Sequence, residues 1–153
     1  MKTITTSALK KRISGKKILI DTNIVIYLTD MVQPYEPLSR LLFEMIEIGD
    51  ASAVLSIVSV AEVMQGPIKK GYRQNAKDVK NYLLNFPNTS CQEITADVLE
   101  YIGGNNLIDW SKLRTTDSLI IASGLEKDVE LFVSNDDHFK RAIPQNLVLS
   151  FDA

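Results

Sequence analysis

Hydrophobic residues follow two patterns that alternate along this chain. Short runs in which nearly every residue is apolar predict strands that are buried on both faces. Longer segments with apolar residues at every third or fourth position predict helices that bury one face. The strands predicted in this way are 18–21, 53–57, 91–94, 130–133 and 147–149.

Helices are predicted between these strands. A helix that begins near Leu38 ends at Gly49. A shorter helix passes through Glu62 and ends at Gly66 and Pro67. The remaining predicted helices are 22–29, 68–86, 95–101 and 116–125.

The alternation of short apolar strands with helices predicts a parallel sheet that is covered on both faces. We therefore expect an α/β fold, a three-layer α/β/α sandwich with a central parallel sheet of about five strands. The length of 153 residues fits a single domain over 1–153. Residues 1–16 are rich in lysine and arginine and are expected to form a basic N-terminal arm that is at most partly ordered.

Composition limits the function only weakly. The net charge is -2, so a surface that binds nucleic acid would have to be a local basic patch. A single cysteine, Cys91, can form no internal disulfide, which is typical of a reducing compartment. No apolar run is long enough to span a membrane, and the basic N-terminus is not followed by the apolar core of a signal peptide. We expect a cytoplasmic protein with no membrane partner.

Four acidic residues lie where functional sites form in this class of fold. Open parallel sheets place their sites at the carboxyl ends of the strands. Asp21 ends the first predicted strand, Glu62 follows the second and Asp136 follows the fourth. Asp117 lies in the first turn of the helix that precedes the fourth strand. We expect all four side chains to meet at one edge of the sheet.

Each acid also has a purely structural explanation. Asp21 is a natural N-cap, Asp117 is favoured by the dipole at the start of a helix, and Asp136 could simply start another helix. Ser59 and Glu62 have the spacing of a capping box, in which Glu62 would bond only to the backbone. Four carboxylates in one cleft, however, repel each other unless a cation neutralises them. The set as a whole therefore favours a metal site.

The residue types at this edge indicate which metal would bind and what it would do. Carboxylate oxygens without histidine or cysteine select Mg²⁺ or Mn²⁺ rather than zinc. The only histidine, His138, cannot build a zinc site alone, and no glycine-rich phosphate loop is present in the sequence. Carboxylate-bound Mg²⁺ is suited to the hydrolysis of phosphodiesters.

Four stretches resemble the PIN-domain family, in particular the toxin ribonucleases of VapBC toxin–antitoxin pairs. They are "ILIDTNIVIYL", "SVAEVMQG", "TTDSLIIASG" and "LFVSNDDHF", and the resemblance extends over about residues 17–150. It implies an endoribonuclease that depends on Mg²⁺ or Mn²⁺, with Asp21, Glu62, Asp117 and Asp136 as its acidic residues. It also implies a homodimer and a small antitoxin protein as partner.

The resemblance and the chemistry together suggest a role for each residue. Asp21 and Asp117 would bind the metal directly, and Asp136 would complete the set of ligands. Glu62 would bind through water or orient the attacking water. Asn23 and Ser134 would support the acids, and Thr22 would cap the helix. The family commonly has an acid directly before the Phe, a position that His138 occupies here. Asp137 is therefore expected to share the role of Asp136.

RNA would need basic residues near the acids. A stripe of basic residues on the predicted helix 68–86 is one such group, and the basic N-terminus is the other. A solvated helix face and a solubilising arm are the ordinary explanations. The stripe consists of Lys69, Arg73, Lys77 and Lys80, and the N-terminal group of Lys10, Lys11, Arg12, Lys16 and Lys17.

Three functions remain open from the sequence alone. The chain could be a toxin ribonuclease with an antitoxin, a PIN nuclease of RNA processing or DNA repair without one, or a scaffold without catalysis that binds RNA or protein. The full acidic set argues against a scaffold, which has no need of repelling carboxylates. A neighbouring gene for a small DNA-binding antitoxin would favour the toxin over the other nuclease.

Overall fold

The structure, a computed structural model, describes residues 2–153 and contains one five-stranded parallel sheet. Its strands run in the order β3-β2-β1-β4-β5, with helices on both faces, which confirms the predicted α/β/α architecture. The strands are β1 Lys17–Ile20, β2 Ser52–Ser56, β3 Thr89–Gln92, β4 Leu131–Val133 and β5 Val148–Leu149. The α-helices are α1 Thr6–Ile13, α2 Thr22–Thr29, α3 Glu36–Glu47, α4 Ile57–Lys69, α5 Arg73–Leu84, α6 Ala96–Leu99, α7 Thr115–Glu126 and α8 Asp137–Ala142.

The uninterrupted apolar run in β1 is explained by a core on each face of the sheet. Successive side chains of a strand point to opposite faces. Ile18 and Ile20 belong to one core, which includes residues of α1 to α4, and Leu19 belongs to the other, beneath α7 and α8. All three side chains are fully buried.

Helix α7 lies unusually close to the sheet. A Cβ atom added at Gly124 would lie 2.9 Å from the Phe132 ring and 3.0 Å from Val129, closer than side chains tolerate. Glycine therefore lets α7 approach β4. The same helix carries Asp117 in its first turn.

Part of the predicted basic N-terminal arm is ordered, since residues 6–13 form α1. Leu9 and Ile13, four positions apart, are fully buried in the first core. Basic residues fill the exposed face of this helix, and the two apolar positions were too few to predict it from the pattern.

Helix α4 does not end at Gly66 and Pro67 as predicted but continues to Lys69. A proline in the last turn removes only one hydrogen bond of the helix, so the helix ends two residues after it. A turn with Gly71 at φ 83° then separates α4 from α5. Lys69 consequently does not lie on the same helix as Arg73, Lys77 and Lys80.

The third predicted strand was placed two residues too far along the chain. The observed strand β3 lies at an edge of the sheet, and its burial is mixed, so no apolar run marks it. Helix α6 is shorter than the predicted 95–101.

Within residues 2–153, no helix is both long and apolar enough to cross a membrane.

Candidate active site

Asp21 lies at the carboxyl end of β1, where its side chain caps α2. Its Oδ1 accepts a hydrogen bond of 2.8 Å from the backbone N–H of Thr22. Asp21, not Thr22, is thus the N-cap residue, which corrects the sequence prediction. The residue is nevertheless only 4% exposed, and burial raises the pKa of its carboxyl group to about 7, with the charges of Asp136 and Asp117 acting in the same direction.

Ser134 and Asn23 surround the carboxylate of Asp21. The Ser134 hydroxyl donates a hydrogen bond of 2.6 Å to Asp21 Oδ2 and accepts one of 3.0 Å from the Asp136 backbone N–H. Asn23 Nδ2 lies 3.5 Å from the same oxygen of Asp21, at the limit of a hydrogen bond. Ser134 therefore connects Asp21 to the loop that carries Asp136.

Asp117 lies buried at the start of α7 and binds an arginine that the sequence analysis did not single out. The backbone N–H of Arg114 donates to Asp117 Oδ2 at 3.2 Å, as at a helix N-terminus. The Arg114 guanidinium donates to both carboxylate oxygens, from Nε to Oδ2 at 2.9 Å and from Nη2 to Oδ1 at 3.1 Å. The sequence does contain a signal for this pair, namely a basic residue three positions before an acid at the start of a helix.

The same guanidinium reaches a second acid. Arg114 Nη2 donates a hydrogen bond of 3.0 Å to Oδ2 of Asp136, which caps α8. Burial would raise the pKa of Asp136, but hydrogen bonds from the backbone and ring of His138 and the charge of Arg114 together lower it below its ordinary value. Asp136 is therefore ionised at neutral pH, and His138 Nδ1 lies 2.9 Å from its Oδ1.

Glu62 does not take part in the capping box that its spacing suggested. Helix α4 begins at Ile57 with Ser56 as its cap, so Glu62 lies in the second turn. Its Oε1 accepts a hydrogen bond of 2.6 Å from the Thr22 hydroxyl, which joins α4 to the start of α2. Glu62 is exposed, unlike Asp21 and Asp117.

Asp137 points away from these acids. Its side chain is 71% exposed and lies 3.6 Å from Lys140 on the same helix. The structure thus groups Asp136, rather than Asp137, with Asp21 and Asp117.

Asn135 is a further residue that sequence reasoning missed. Its Oδ1 accepts hydrogen bonds from the Ser150 hydroxyl and from the backbone of Phe151 and Asp152, while its Nδ2 donates to the Tyr27 hydroxyl at 3.2 Å. Asn135 thereby fixes the loop before Asp136 to the C-terminal segment. Nothing in the local sequence pattern indicates these long-range contacts.

The donor atoms fit a hard divalent cation, although the carboxylates are not arranged around one point. Among residues 2–153, no three side chains of Asp, Glu, His or Cys are close enough together to hold a metal ion. The oxygens of Asp117 and Asp136 instead converge on the guanidinium of Arg114, a cation of the chain itself. Carboxylate oxygens around a cation, with no sulfur ligand, are the set expected for Mg²⁺ or Mn²⁺.

The two basic groups lie at different places relative to the acids. Lys16 and Lys17 lie at the amino end of β1, the edge opposite Asp21, and Lys17 Nζ donates to the Lys127 carbonyl at 2.8 Å. Helix α5 ends just before β3 begins, so its first turn, with Arg73, lies toward the carboxyl edge. Of these basic residues, Arg73 is therefore the one placed toward the acids, and Lys77 and Lys80 lie farther along α5.

Solved structures with the same fold come from several bacteria. A chain of VapBC2 from Rickettsia felis, bound to a DNA fragment from its promoter, has a TM-score of 0.62 at 19% identity, over 89% of this chain and 99% of that one. A DNA-bound VapBC from Salmonella typhimurium has a TM-score of 0.64 at 13% identity, over 89% and 98%. Mycobacterium tuberculosis VapC20, a sarcin-ricin loop cleaving toxin, has 0.61 at 12% identity, over 84% and 97%.

Sequence comparison gives the family directly. No curated protein matches the chain at a significant level. The family model described as PIN domain, in contrast, matches residues 18–143, most of the chain, and this range includes all four predicted acids. The chain therefore belongs to the PIN domain family.

Proposed function

We propose that this protein is an endoribonuclease that uses Mg²⁺ or Mn²⁺ and serves as the toxin of a toxin–antitoxin pair. The main support is the cluster formed by Asp21, Asp117 and Asp136, three acids from separate elements at the carboxyl edge of the sheet. Burial of Asp21 and Asp117 near the charge of a third acid opposes folding, and a bound divalent cation would offset this cost. Membership of the PIN domain family points in the same direction.

The residues of the chain would divide the work as follows. Asp21, Asp117 and Asp136 would hold the divalent cation, which would activate water and stabilise charge on the phosphate. Ser134 fixes the orientation of the Asp21 carboxylate through its hydrogen bond of 2.6 Å. Glu62, held by Thr22 and open to solvent, orients the attacking water or binds the cation through water.

The proposed partners are RNA, a small antitoxin protein and a second copy of the chain. Two of the similar structures are described as VapBC bound to DNA, and the third, VapC20, is described as a sarcin-ricin loop cleaving toxin. These descriptions support the toxin assignment over that of a PIN nuclease without an antitoxin. A toxin of this kind would act on RNA and would be neutralised by the small antitoxin protein.

RNA cleavage by the purified protein tests the proposal. Wild-type protein is incubated with ribosomes, total RNA and sarcin-ricin loop RNA, in Mg²⁺, Mn²⁺, Zn²⁺ or EDTA, and the products are mapped at their 5′ ends. We expect cleavage at defined positions with Mg²⁺ or Mn²⁺ and none with EDTA. Asp21→Asn should lower the rate at least about a hundredfold, since it removes a ligand of the cation.

The matched control is Asp137→Asn, which removes an equal charge from an exposed position. It should cleave at the wild-type rate. Equal cleavage with Zn²⁺ or EDTA, or full activity of Asp21→Asn, would contradict the proposed metal site.

Coexpression with the product of a small adjacent gene should inhibit the enzyme. Activity that no adjacent gene product inhibits would indicate a nuclease without an antitoxin.

A further inference from the structure

Arg114 is the residue whose position the proposed function does not explain. Its guanidinium bridges Asp117 on α7 and Asp136 at the start of α8, with three hydrogen bonds of 2.9 to 3.1 Å. Both oxygens of Asp117 are engaged by it. A cation that bound these carboxylates would need oxygens that the guanidinium already uses.

The two sides of this contact differ in their freedom to move. The Asp117 side chain is 5% exposed, whereas that of Arg114 is 59% exposed. A buried carboxylate needs a counter-charge, while an exposed arginine can rotate into solvent at little cost. Entry of a divalent cation would therefore displace the arginine rather than the acid.

We propose that Arg114 is an internal counter-cation of the acidic cluster, which occupies Asp117 and Asp136 in the metal-free protein and leaves when Mg²⁺ or Mn²⁺ binds. The inference rests on the proposed function, because it assumes that these acids bind a divalent cation. It also explains why no three acids converge in the described part of the chain: two of them face the guanidinium instead. The affinity for the metal is thus set by competition between Arg114 and the divalent cation for the same carboxylate oxygens.

Direct measurement of Mn²⁺ affinity tests this competition without any need for RNA. The dissociation constant is measured by electron paramagnetic resonance and by calorimetry for wild type, Arg114→Gln and Arg114→Lys. Removal of the competing charge should tighten Mn²⁺ binding about tenfold in Arg114→Gln. Arg114→Lys retains the charge but loses the bidentate contact with Asp117. The Mn²⁺ affinity of this variant should therefore lie between those of wild type and Arg114→Gln.

Arg40→Gln is the matched control. Arg40 is 56% exposed and pairs with the mostly buried Glu36 at 3.4 Å, so it resembles Arg114 in exposure and in the type of partner. Its replacement should leave the Mn²⁺ affinity unchanged. An equal increase in Arg40→Gln would show that net charge, rather than the Arg114 contact, controls affinity, and would overturn the proposal.

A second measurement follows the arginine itself in the wild-type protein. The Nε–H signal of Arg114, assigned by its loss in the Arg114→Lys spectrum, should move toward the position of a free arginine as Mg²⁺ is added. The proposal is overturned if the signal stays in place at saturating Mg²⁺, or if Arg114→Gln binds Mn²⁺ no more tightly than wild type. If neither wild type nor the Arg114 variants bind Mn²⁺, the metal-dependent function fails as well.

Discussion

Asp21 is the residue at which the stability of the fold and the chemistry of the site conflict. Its carboxylate caps α2 and accepts the hydroxyl of Ser134, both of which stabilise the folded state. It is also buried near two other acids, and burial raises its pKa to about 7 from an ordinary value of 3.8. Between these pH values the folded chain keeps a proton that the unfolded chain has lost.

This difference predicts how stability depends on pH in the metal-free protein. Because the folded state binds more protons than the unfolded state, the free energy of unfolding should fall as the pH rises from about 4 to 7, by about 4 kcal/mol in total. Asp21→Asn has no charge to bury, so it should lack most of this loss and exceed wild type in stability at pH 7.5. Urea unfolding between pH 4.5 and 7.5 measures both effects.

Asp137→Asn provides the comparison for this experiment, because Asp137 is exposed and next to Asp136. Its stability should follow the wild-type dependence on pH. If wild type and Asp21→Asn showed the same slope, Asp21 would be an ordinary cap with an ordinary pKa.

Among the elements, helix α5 determines whether the basic residues can serve RNA. Arg73, Lys77 and Lys80 follow each other at spacings of four and three residues, so they share one face of α5. The adjoining face contributes Ala76 and Leu83 to the buried part of the protein, and Lys80, which lies beside it, is half-buried. A solvated face and a phosphate-binding face look alike in such a helix, and only binding measurements separate them.

We expect the combined change of Arg73, Lys77 and Lys80 to Gln to weaken RNA binding and to flatten its dependence on salt. The loss of three phosphate contacts should reduce the slope of log K against log salt by about 2. Fluorescence anisotropy with single-stranded RNA between 50 and 300 mM salt, roughly the range in which such slopes are measured, gives the slope directly.

The N-terminal group supplies a control of equal charge. Lys10→Gln, Lys11→Gln and Lys16→Gln together remove three charges; Lys16 lies at the opposite edge of the sheet, and Lys10 and Lys11 are exposed on α1. This variant should keep the wild-type slope. An equal loss in both triple variants would mean that overall charge, rather than the position of α5, governs binding.

At the scale of the whole molecule, the acidic cluster joins parts of the chain that are far apart in sequence. Asp21 follows β1, Asp117 begins α7 and Asp136 follows β4. A cation bound by all three would hold these elements together and would bind only the folded state. Metal binding should therefore raise the thermal stability of the molecule.

Excess Mn²⁺ should raise the melting temperature of the wild type by about 5 to 10 °C at a hundred times the dissociation constant, equivalent to about 2.7 kcal/mol. Asp21→Asn and Asp117→Asn should show little of this increase, because each removes a ligand. Differential scanning calorimetry with EDTA and with Mn²⁺ measures the shift. Equal shifts in all three proteins would mean that these aspartates are only caps of their helices.

The sequence by itself determined the class of fold and the edge at which the acids meet. Strands buried on both faces must be apolar at every position, so the run from Ile18 to Ile20 predicts the central strand without further information. A carboxylate directly after such a strand lies at the carboxyl edge in any parallel sheet. The position of Asp21 follows from this rule, and Asp136 comes three residues after β4. Asp117 lies at the same edge for another reason: it begins α7, the helix that runs back to the amino end of β4.

Only the tertiary structure decided which groups these acids contact. Arg114, Ser134 and Asn135 act on residues that lie near them in space, and in most cases the partners are far apart in the chain. Helix α1 and strand β3 likewise depend on burial by distant elements rather than on a strong local pattern. Local periodicity reports which face of an element is buried, but it contains no information about the partner, because the partner comes from another part of the chain.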